Sequence, residues 1–563
     1  MITTDKSGVN QLLVQLKAHG VRYVVCSPGS RNAPLVIAFD EDSDFTCYVV
    51  HDERSAAFFA LGIAQQTQVP VAVCCTSGSA ALNYYPAIAE AYYQCVPLVV
   101  LTADRPASWV DQGDGQTIRQ RGVFDNHLRY AFELPESIQD QDALWTVNRE
   151  LAIALSECTG VWKGPIHINC PFTEPLYNMK KNEEVAQQRR IETVRGSFRF
   201  SGRNELASLE AMKYPKKMIL CGQLQPDAAL LDQLNTLSQD TSWLILVENT
   251  SNLVGNRFVH CIDRILNTVD DEIAFAPDLL ITIGGAIVSK RIKTFLRKHQ
   301  PRQHWKIGYE FPYMDTYQCL THTFQTEPAL FLHQLNGLHF ERNTSNYGSI
   351  WKQKDFLIQD KVSSFFGNVP FSDLAVFETI LDYIPDHAHI HMSNSSVVRY
   401  CQLLDPIKNM VYWANRGTSG IDGSSSTAVG AAVSNPSACH VLLTGDISFF
   451  YDVNALWNAY LPENLRIVLI NNDGGSIFRI IPGPSGTNQL EQYFEAKHTT
   501  RAKGICDTHG VHYLYAETIQ EIEQQMEVFY TRCEAGRPKL LEIVTPAEGN
   551  PKVLDQFFKF IRL

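Results

Sequence analysis

The sequence contains no run of about 18 uncharged apolar residues, so nothing in it reads as a membrane span. Its first residues, MITTDKSGVNQLLVQL, lack a basic segment followed by an apolar stretch, which argues against a secretory leader and for a cytoplasmic location. No Cys-x-x-Cys occurs among the 14 cysteines, which are scattered apart from the adjacent Cys74 and Cys75. That pattern predicts reduced, mostly buried thiols and argues against a disulfide framework or a zinc site. Net positive charge is also missing. The formal balance of −12 argues against nucleic acid or an anionic membrane as partner. No G-x-G-x-x-G follows a strand-like run, which argues against a nicotinamide dehydrogenase, and there is no short internal repeat.

What is present is a chain of 563 residues, too long for one core, that alternates strand and helix signals almost throughout. In the first third, VRYVVC, CYVV, VPVAVCC and VPLVVLTA are apolar runs, each followed by a short polar loop and a helical pattern. The helical stretch VNQLLVQLKAH ends at Gly20. Residues 180–200 are polar and charged and read as a linker. KMILCG, WLILVEN and DLLITIGG form a second set, and FERNTSNYGSIWKQKD (340–355) is less regular. AHIHMSNSS, MVYWANRG, HVLLTGDIS, LRIVLINNDGG and KLLEIVTP form a third. This organisation predicts an α/β protein with three doubly wound parallel-sheet domains, over 1–180, 195–345 and 360–563. In such sheets ligands bind where loops leave the C-terminal strand ends.

Two of those loops suggest a metal. VLLTGDIS puts Asp446 directly after a strand, with Gly445 allowing a tight turn; IVLINNDGG puts Asn471 and Asn472 after another. Each alone is an ordinary turn sequence. Together they offer a carboxylate, an amide oxygen and a nearby carbonyl to a hard cation, and Gly474 and Gly475 let backbone approach a ligand. Gly-Asp, some two dozen residues and then Asn-Asn resembles the signature of thiamine-diphosphate enzymes, although Ile447 replaces the usual third residue, glycine. The stretch from Glu53 through AAFFALGIAQQTQVPVAVCCTSGSAALN resembles their N-terminal domain. Taken alone, Glu53 is an acid at a helix start, which the helix dipole favours.

The resemblance implies a good deal. Asp446, Asn472 and the Gly474 carbonyl would hold Mg²⁺ (or Mn²⁺) on the cofactor's diphosphate. Glu53 would hydrogen-bond the aminopyrimidine and so promote the reactive ylid. Ser395, Ile421, Gly445, Ile447, Ser448 and Ile477 would also touch the cofactor, with Ile421 wedging it into a bent conformation. Residues 1–180 would bind the pyrimidine and 360–563 the diphosphate and metal. In this family the glutamate and the metal loop belong to different subunits, which implies a homodimer or homotetramer.

The basic motifs SPGSR, TADRP, SKR, NSSVVR and NRGTSGIDG narrow the resemblance further. As a set they resemble the 2-succinyl-5-enolpyruvyl-6-hydroxy-3-cyclohexene-1-carboxylate synthase family of menaquinone biosynthesis, over nearly the whole chain. The implied reaction decarboxylates 2-oxoglutarate and adds the resulting succinic-semialdehyde carbanion to isochorismate. Arginine forks suit such carboxylates. Arg399 and Ser395 would grip 2-oxoglutarate. Ser30, Arg31, Arg105, Gln116, Lys290, Arg291 and Arg416 would border isochorismate. Ile477, Phe478 and Ile481 would wall the pocket; as residues alone they read equally as core. Gly115 stands where the family often has Asn. The alternative is another thiamine-diphosphate-dependent 2-oxo acid decarboxylase or carboligase, acetolactate-synthase-like, with a different acceptor.

Overall fold

The computed structural model describes residues 2–181, 191, 198–200, 209–338, 345–406, 409–481, 483–532 and 536–563. Three all-parallel sheets carry most of the described residues. The first has the spatial order Thr46–Val49, Tyr23–Cys26, Val71–Cys75, Leu98–Asp104, Ile166–Pro171, Tyr130–Glu133. The second runs Trp243–Val247, Lys217–Cys221, Leu279–Ile283, Gln303–Ile307, His322–Phe324. The third runs Val411–Ala414, His389–Met392, His440–Gly445, Leu465–Asn471, Lys539–Val544, His512–Ala516. Central strands such as Val71–Cys75 and Leu465–Asn471 are buried along their whole length, as strands covered by helices on both faces must be. Among the described residues no helix is long and apolar enough to cross a membrane.

Two expectations need correcting. The stretch 340–355 is not irregular once the described residues resume: Tyr347–Phe366 is a helix. It buries Tyr347, Trp351, Asp355, Ile358 and Val362, a helical stripe in which a buried acid obscures the apolar period. Its Asp355 lies 3.7 Å from the fully buried Arg264, which also pairs with Asp405 at 2.7 Å. The start of the 180–200 segment is strand, not linker: Met179–Lys181 pairs antiparallel with Ile2–Thr4. Most of the rest of that segment lies outside the described residues.

The helix Glu53–Thr67 crosses Ser424–Ser434 at very short range, and both are buried nearly all round. Glycine makes this possible. A Cβ on Gly62 would sit 2.0 Å from the Thr427 carbonyl oxygen, and one on Gly430 would sit 2.0 Å from that of Phe59. Phe58 and Phe59 of one helix, Ala428 and Val429 of the other, and Ile467 of the third sheet are all within 1% of full burial, so this crossing welds the first and third sheets together. A second core runs from Met218 and Leu246 of the second sheet to Ile390 and Phe557 of the third unit.

Candidate functional site

The loops at the C-terminal strand ends of the third sheet form one hydrogen-bonded assembly. Asp446 follows its strand directly, is buried, and begins the short helix Asp446–Tyr451. Its Oδ1 accepts from the Ile447 N–H at 2.6 Å, and its Oδ2 from the N–H groups of Asn472 (3.1 Å) and Gly474 (2.9 Å). Asn472 is oriented by its amide: Nδ2 donates to Asp373 Oδ2 and to Ser476 Oγ, both at 3.0 Å. Its Oδ1 is buried with no hydrogen-bond partner among the described residues. A buried amide oxygen left unpaired is costly unless something else takes it. Gly474 has φ +152°, and a Cβ there would lie 2.8 Å from the Glu495 carbonyl oxygen. The Gly474 carbonyl accepts from the Ser476 N–H at 2.9 Å, which leaves it a second lone pair. Gly445 takes an ordinary φ of −88° where its strand passes directly into the helix Asp446–Tyr451, so that change of direction does not need glycine's conformational freedom; open space lies where its Cβ would point. An unpaired oxygen, a carboxylate and a glycine-lined approach fit a diphosphate-bound hard cation.

Hydrogen bonds extend this assembly to basic side chains. Ser448 Oγ donates to the Ile421 carbonyl at 2.7 Å, and Ile421 itself is exposed. Asn394 Nδ2 donates to the carbonyls of Asn415 and Gly420, and Arg416 Nη1 donates to Asn394 Oδ1 at 2.7 Å. Next to Asn394, Ser395 is held at φ +71°, a strained value for serine, at the start of the helix carrying Arg399. The Nε atoms of Arg399 and Arg416 are both buried and unpaired among the described residues. Ile477, Phe478 and Ile481 are half-buried, which puts them at a rim and not in the core.

Two residues that the sequence reading passed over join this group. Glu248, at the end of Trp243–Val247, is buried and accepts from the N–H groups of Val288 and Ser289, both at 2.7 Å. Burial raises its carboxyl to about 7, against those two N–H bonds, with Asp263 raising it further and Arg416 lowering it. Lys293 is held by the Ile287 carbonyl at 2.7 Å; burial lowers its pKa, Glu248 opposes that, and Arg416 and Arg399 add to it. Lys290 and Arg291 open the same helix, Lys290–Lys298, and are exposed. Arg291 stacks over Phe558 at 4.6 Å and lies, with Arg399, near Asp263. A lone Lys in a basic helix, and an acid closing an apolar strand, carry no signal that sets them apart from surface residues.

A second basic group stands at the C-terminal ends of the first sheet. Arg31 is buried and donates to the Phe172 carbonyl and to Glu174 Oε1, each at 3.1 Å. Arg105 pairs with Asp114 at 3.0 Å, approaches the same Glu174 oxygen at 3.9 Å, and donates to the Gly115 carbonyl at 3.2 Å. Gln116 has φ +55°, and its carbonyl accepts from Ser77 Oγ at 2.9 Å. Ser30 is exposed on the same loop as Arg31. Glu53 is the first residue of its helix, whose N-cap Asp52 accepts from the Ser55 N–H at 3.0 Å. Burial raises the Glu53 carboxyl above its ordinary value despite a backbone hydrogen bond, and Asp52 adds to the rise. Within the chain, Asp52 takes the Asn454 amide and Arg54 the Tyr451 carbonyl. No hydrogen bond or ion pair among the described residues joins Glu53 to Asp446, Asn472 or Gly474. The three units also meet around a cavity of about 850 Å³, lined in part by Gln65, Gln94, Gln223, Lys306, Phe311 and Arg416.

Comparison with known proteins identifies the family. Residues 6–127 match the thiamine pyrophosphate enzyme N-terminal TPP binding domain, 201–392 the middle domain of thiamine pyrophosphate enzymes, and 394–543 the C-terminal TPP binding domain. The chain belongs to the thiamine-diphosphate enzyme family. It is 43% identical to a 2-succinyl-5-enolpyruvyl-6-hydroxy-3-cyclohexene-1-carboxylate synthase from Christiangramia forsetii, over 97% of each chain. Identity to the synthase of the same name from Flavobacterium johnsoniae is 42%, over 98% of this chain and 99% of that one. For Bacteroides thetaiotaomicron it is 37% over 99% of both. Within the thiamine-diphosphate enzymes, the chain belongs to the family of these synthases.

Proposed function

We propose that the chain decarboxylates 2-oxoglutarate and joins the remaining four-carbon fragment to isochorismate, releasing CO₂ and 2-succinyl-5-enolpyruvyl-6-hydroxy-3-cyclohexene-1-carboxylate. The observation that carries this reading is a chain of contacts: Ser448, on the short helix that Asp446 begins, donates to the Ile421 carbonyl, and Asn394 donates to the adjacent Gly420 carbonyl while accepting from Arg416, which supports carboxylate-binding groups lying beside a cation and diphosphate cradle. Asp446, Asn472 and the Gly474 carbonyl would hold Mg²⁺ or Mn²⁺ against the diphosphate. Thiamine diphosphate supplies, when bound, the electron sink that stabilises the carbanion left by decarboxylation.

The chain's own residues bind, orient and move protons. Glu53, half-buried and harder to ionise than a free carboxylate, would hydrogen-bond the aminopyrimidine and share a proton with it. Ile421 presses on the cofactor, while Gly445, Ile447, Ser448 and Ile477 line its diphosphate end. Arg399 and Ser395 grip the distal carboxylate of 2-oxoglutarate. Ser30, Arg31, Arg105, Gln116, Lys290, Arg291 and Arg416 orient the carboxylates and ring of isochorismate, and Phe478 and Ile481 exclude water. Glu53 and the metal loop that serve one site come from two chains, so the working form is a homodimer or homotetramer. Both substrates are small water-soluble anions, which suits a cytoplasmic enzyme.

The test is direct. Purified protein is mixed with thiamine diphosphate, Mg²⁺, 2-oxoglutarate and isochorismate, and the product is followed by mass spectrometry. The succinylated cyclohexene is expected. Product only from an aldehyde or a second oxo acid as acceptor would transfer the chain to a different carboligase class.

A further inference from the structure

In the second sheet, His304 points into the fold with its side chain fully buried. One ring nitrogen, Nε2, lies 2.9 Å from Thr282 Oγ1. The other, Nδ1, has no hydrogen-bond partner among the described residues and stands 3.9 Å from Asp315 Oδ1. Asp315 is more than one-third exposed and accepts from the N–H groups of Cys319 (2.9 Å) and Leu320 (3.1 Å). This folds Cys319 back, so that donor atoms of His304, Asp315 and Cys319 all lie within 4.8 Å of one another. The three come from a strand and the loop that follows it, Gly308–Thr321, at spacings that match no cysteine motif.

We propose that His304 Nδ1, Asp315 and Cys319 Sγ form a thiolate-containing transition-metal site in the central unit that takes zinc, with water as fourth ligand. Zinc bonds of about 2.0–2.3 Å put neighbouring donors of a tetrahedron about 3.3–3.8 Å apart, so closing the present cluster by about 1 Å completes it. A mixed N, O, S donor set selects zinc over Mg²⁺ or Ca²⁺, which want oxygen throughout. That separates it from the all-oxygen group Asp446, Asn472 and Gly474. Thr282 Oγ1 can accept from Nε2–H and so serve as an outer partner that orients the imidazole. Burial holds His304 neutral, down at about 4, so its lone pair is available. The Cys319 thiol, raised to about 11 chiefly by burial, ionises only as the metal arrives. The balance is simple: the Sγ–H bond breaks, the Sγ–metal bond forms, one proton goes to solvent, and nothing is oxidised or reduced.

The ion would fix a loop with two non-glycine residues at positive φ, Phe311 (+43°) and Gln318 (+61°). Phe311, Tyr313 and Met314 of this loop line the cavity between the three units. Its Thr316 carbonyl accepts from Arg297 Nε at 2.9 Å, on the helix that carries Lys290, Arg291 and Lys293. The site therefore braces one wall of the basic group from behind.

Full-length protein, stripped with a chelator and resupplied with Mg²⁺ and thiamine diphosphate, is titrated with Co²⁺ while thiolate-to-cobalt absorption is recorded. One equivalent per chain is expected, with displacement by Zn²⁺ and release of a proton. Cys319→Ser should abolish the band, Cys439→Ser should keep it, and Asp315→Asn should weaken binding by about 10-fold or more. No thiolate band in the parent protein, or an unchanged band in Cys319→Ser, overturns the proposal. Should Cys319→Ser fail to fold, Asp315→Asn decides: unaltered Co²⁺ affinity there rejects the site.

Discussion

Asp373 accepts one N–H of the Asn472 amide and thereby turns the opposite oxygen into a buried, unpaired acceptor. Asp373 is itself pinned by Thr545 Oγ1 at 2.6 Å, and its own N–H donates to Asn550 Oδ1 at 2.8 Å. Asp373→Asn removes the group that dictates which way the amide faces. The expected result is metal affinity weakened by about 10–100-fold, with turnover largely recovered at saturating Mg²⁺. Activity titrated against Mg²⁺ at fixed thiamine diphosphate measures it; an unshifted midpoint would remove Asp373 from this role.

Glu53→Gln keeps the shape of the side chain and most of its burial, so the fold should survive, as circular dichroism would report. Turnover should fall to background, because an amide cannot hold the proton that the proposed role requires the carboxyl to share with the cofactor. Turnover near that of the parent protein would contradict the assignment.

Arg399→Ala should weaken use of 2-oxoglutarate by roughly 1.5–3 kcal/mol in kcat/KM, the scale of a lost charged hydrogen bond. Lys293→Ala should lower kcat/KM in the same direction, since it shares the Glu248 environment with Arg399 and Arg416. Steady-state kinetics with each substrate varied in turn separates the two. Arg399 is expected to act on 2-oxoglutarate alone, and equal effects on both substrates would refute that specificity.

Glu248 sets a pH dependence with a defined sign. Its folded pKa of about 7 stands above the ordinary 4.5. The folded chain therefore binds the proton more tightly, and this group's contribution to stability is largest below about pH 4.5 and is lost as pH rises towards 7. Glu248→Gln removes that slope. Denaturation midpoints of the two proteins across this window should draw apart in the acid direction in favour of the parent; a gap that does not change with pH would show that Glu248 is not the group responsible.

Gly62→Ala tests the helix crossing. The added methyl would fall on the Thr427 carbonyl, which belongs to helix backbone and can yield only if the whole crossing shifts. A loss of about 1–3 kcal/mol is expected, the usual scale of overpacking, seen as a lower melting temperature. A melting temperature equal to or above that of the parent protein would mean that the helices can separate freely.

The strands legible in the sequence are those whose apolar runs are uninterrupted, such as Val71–Cys75, Leu98–Asp104 and Leu465–Asn471. Ile166–Pro171 is not, because it carries His167 and Asn169 into the interior, where Thr102 Oγ1 meets them at 2.7 and 3.0 Å. Gln303–Ile307 hides for the same reason, with His304 and Lys306 buried. The third-sheet loops are legible through their Gly-Asp and Asn-Asn spacing. What no spacing reveals is the orientation of an amide, or that Glu248 and Glu174 stand among the arginines: such pairings are made by residues far apart in the chain, and only the fold brings them together.

Glu174 has a further consequence. One of its oxygens already lies against Arg31 and near Arg105, while most of its side chain reaches into water. An incoming dicarboxylate there would exchange one anion for another instead of neutralising bare cations. Affinity then depends on the difference between a tethered carboxylate and a free one, and far less on long-range attraction. If dicarboxylates are held there as proposed, a chain of net charge −12 recruits them by exchange, and recruitment at this end is comparatively indifferent to salt.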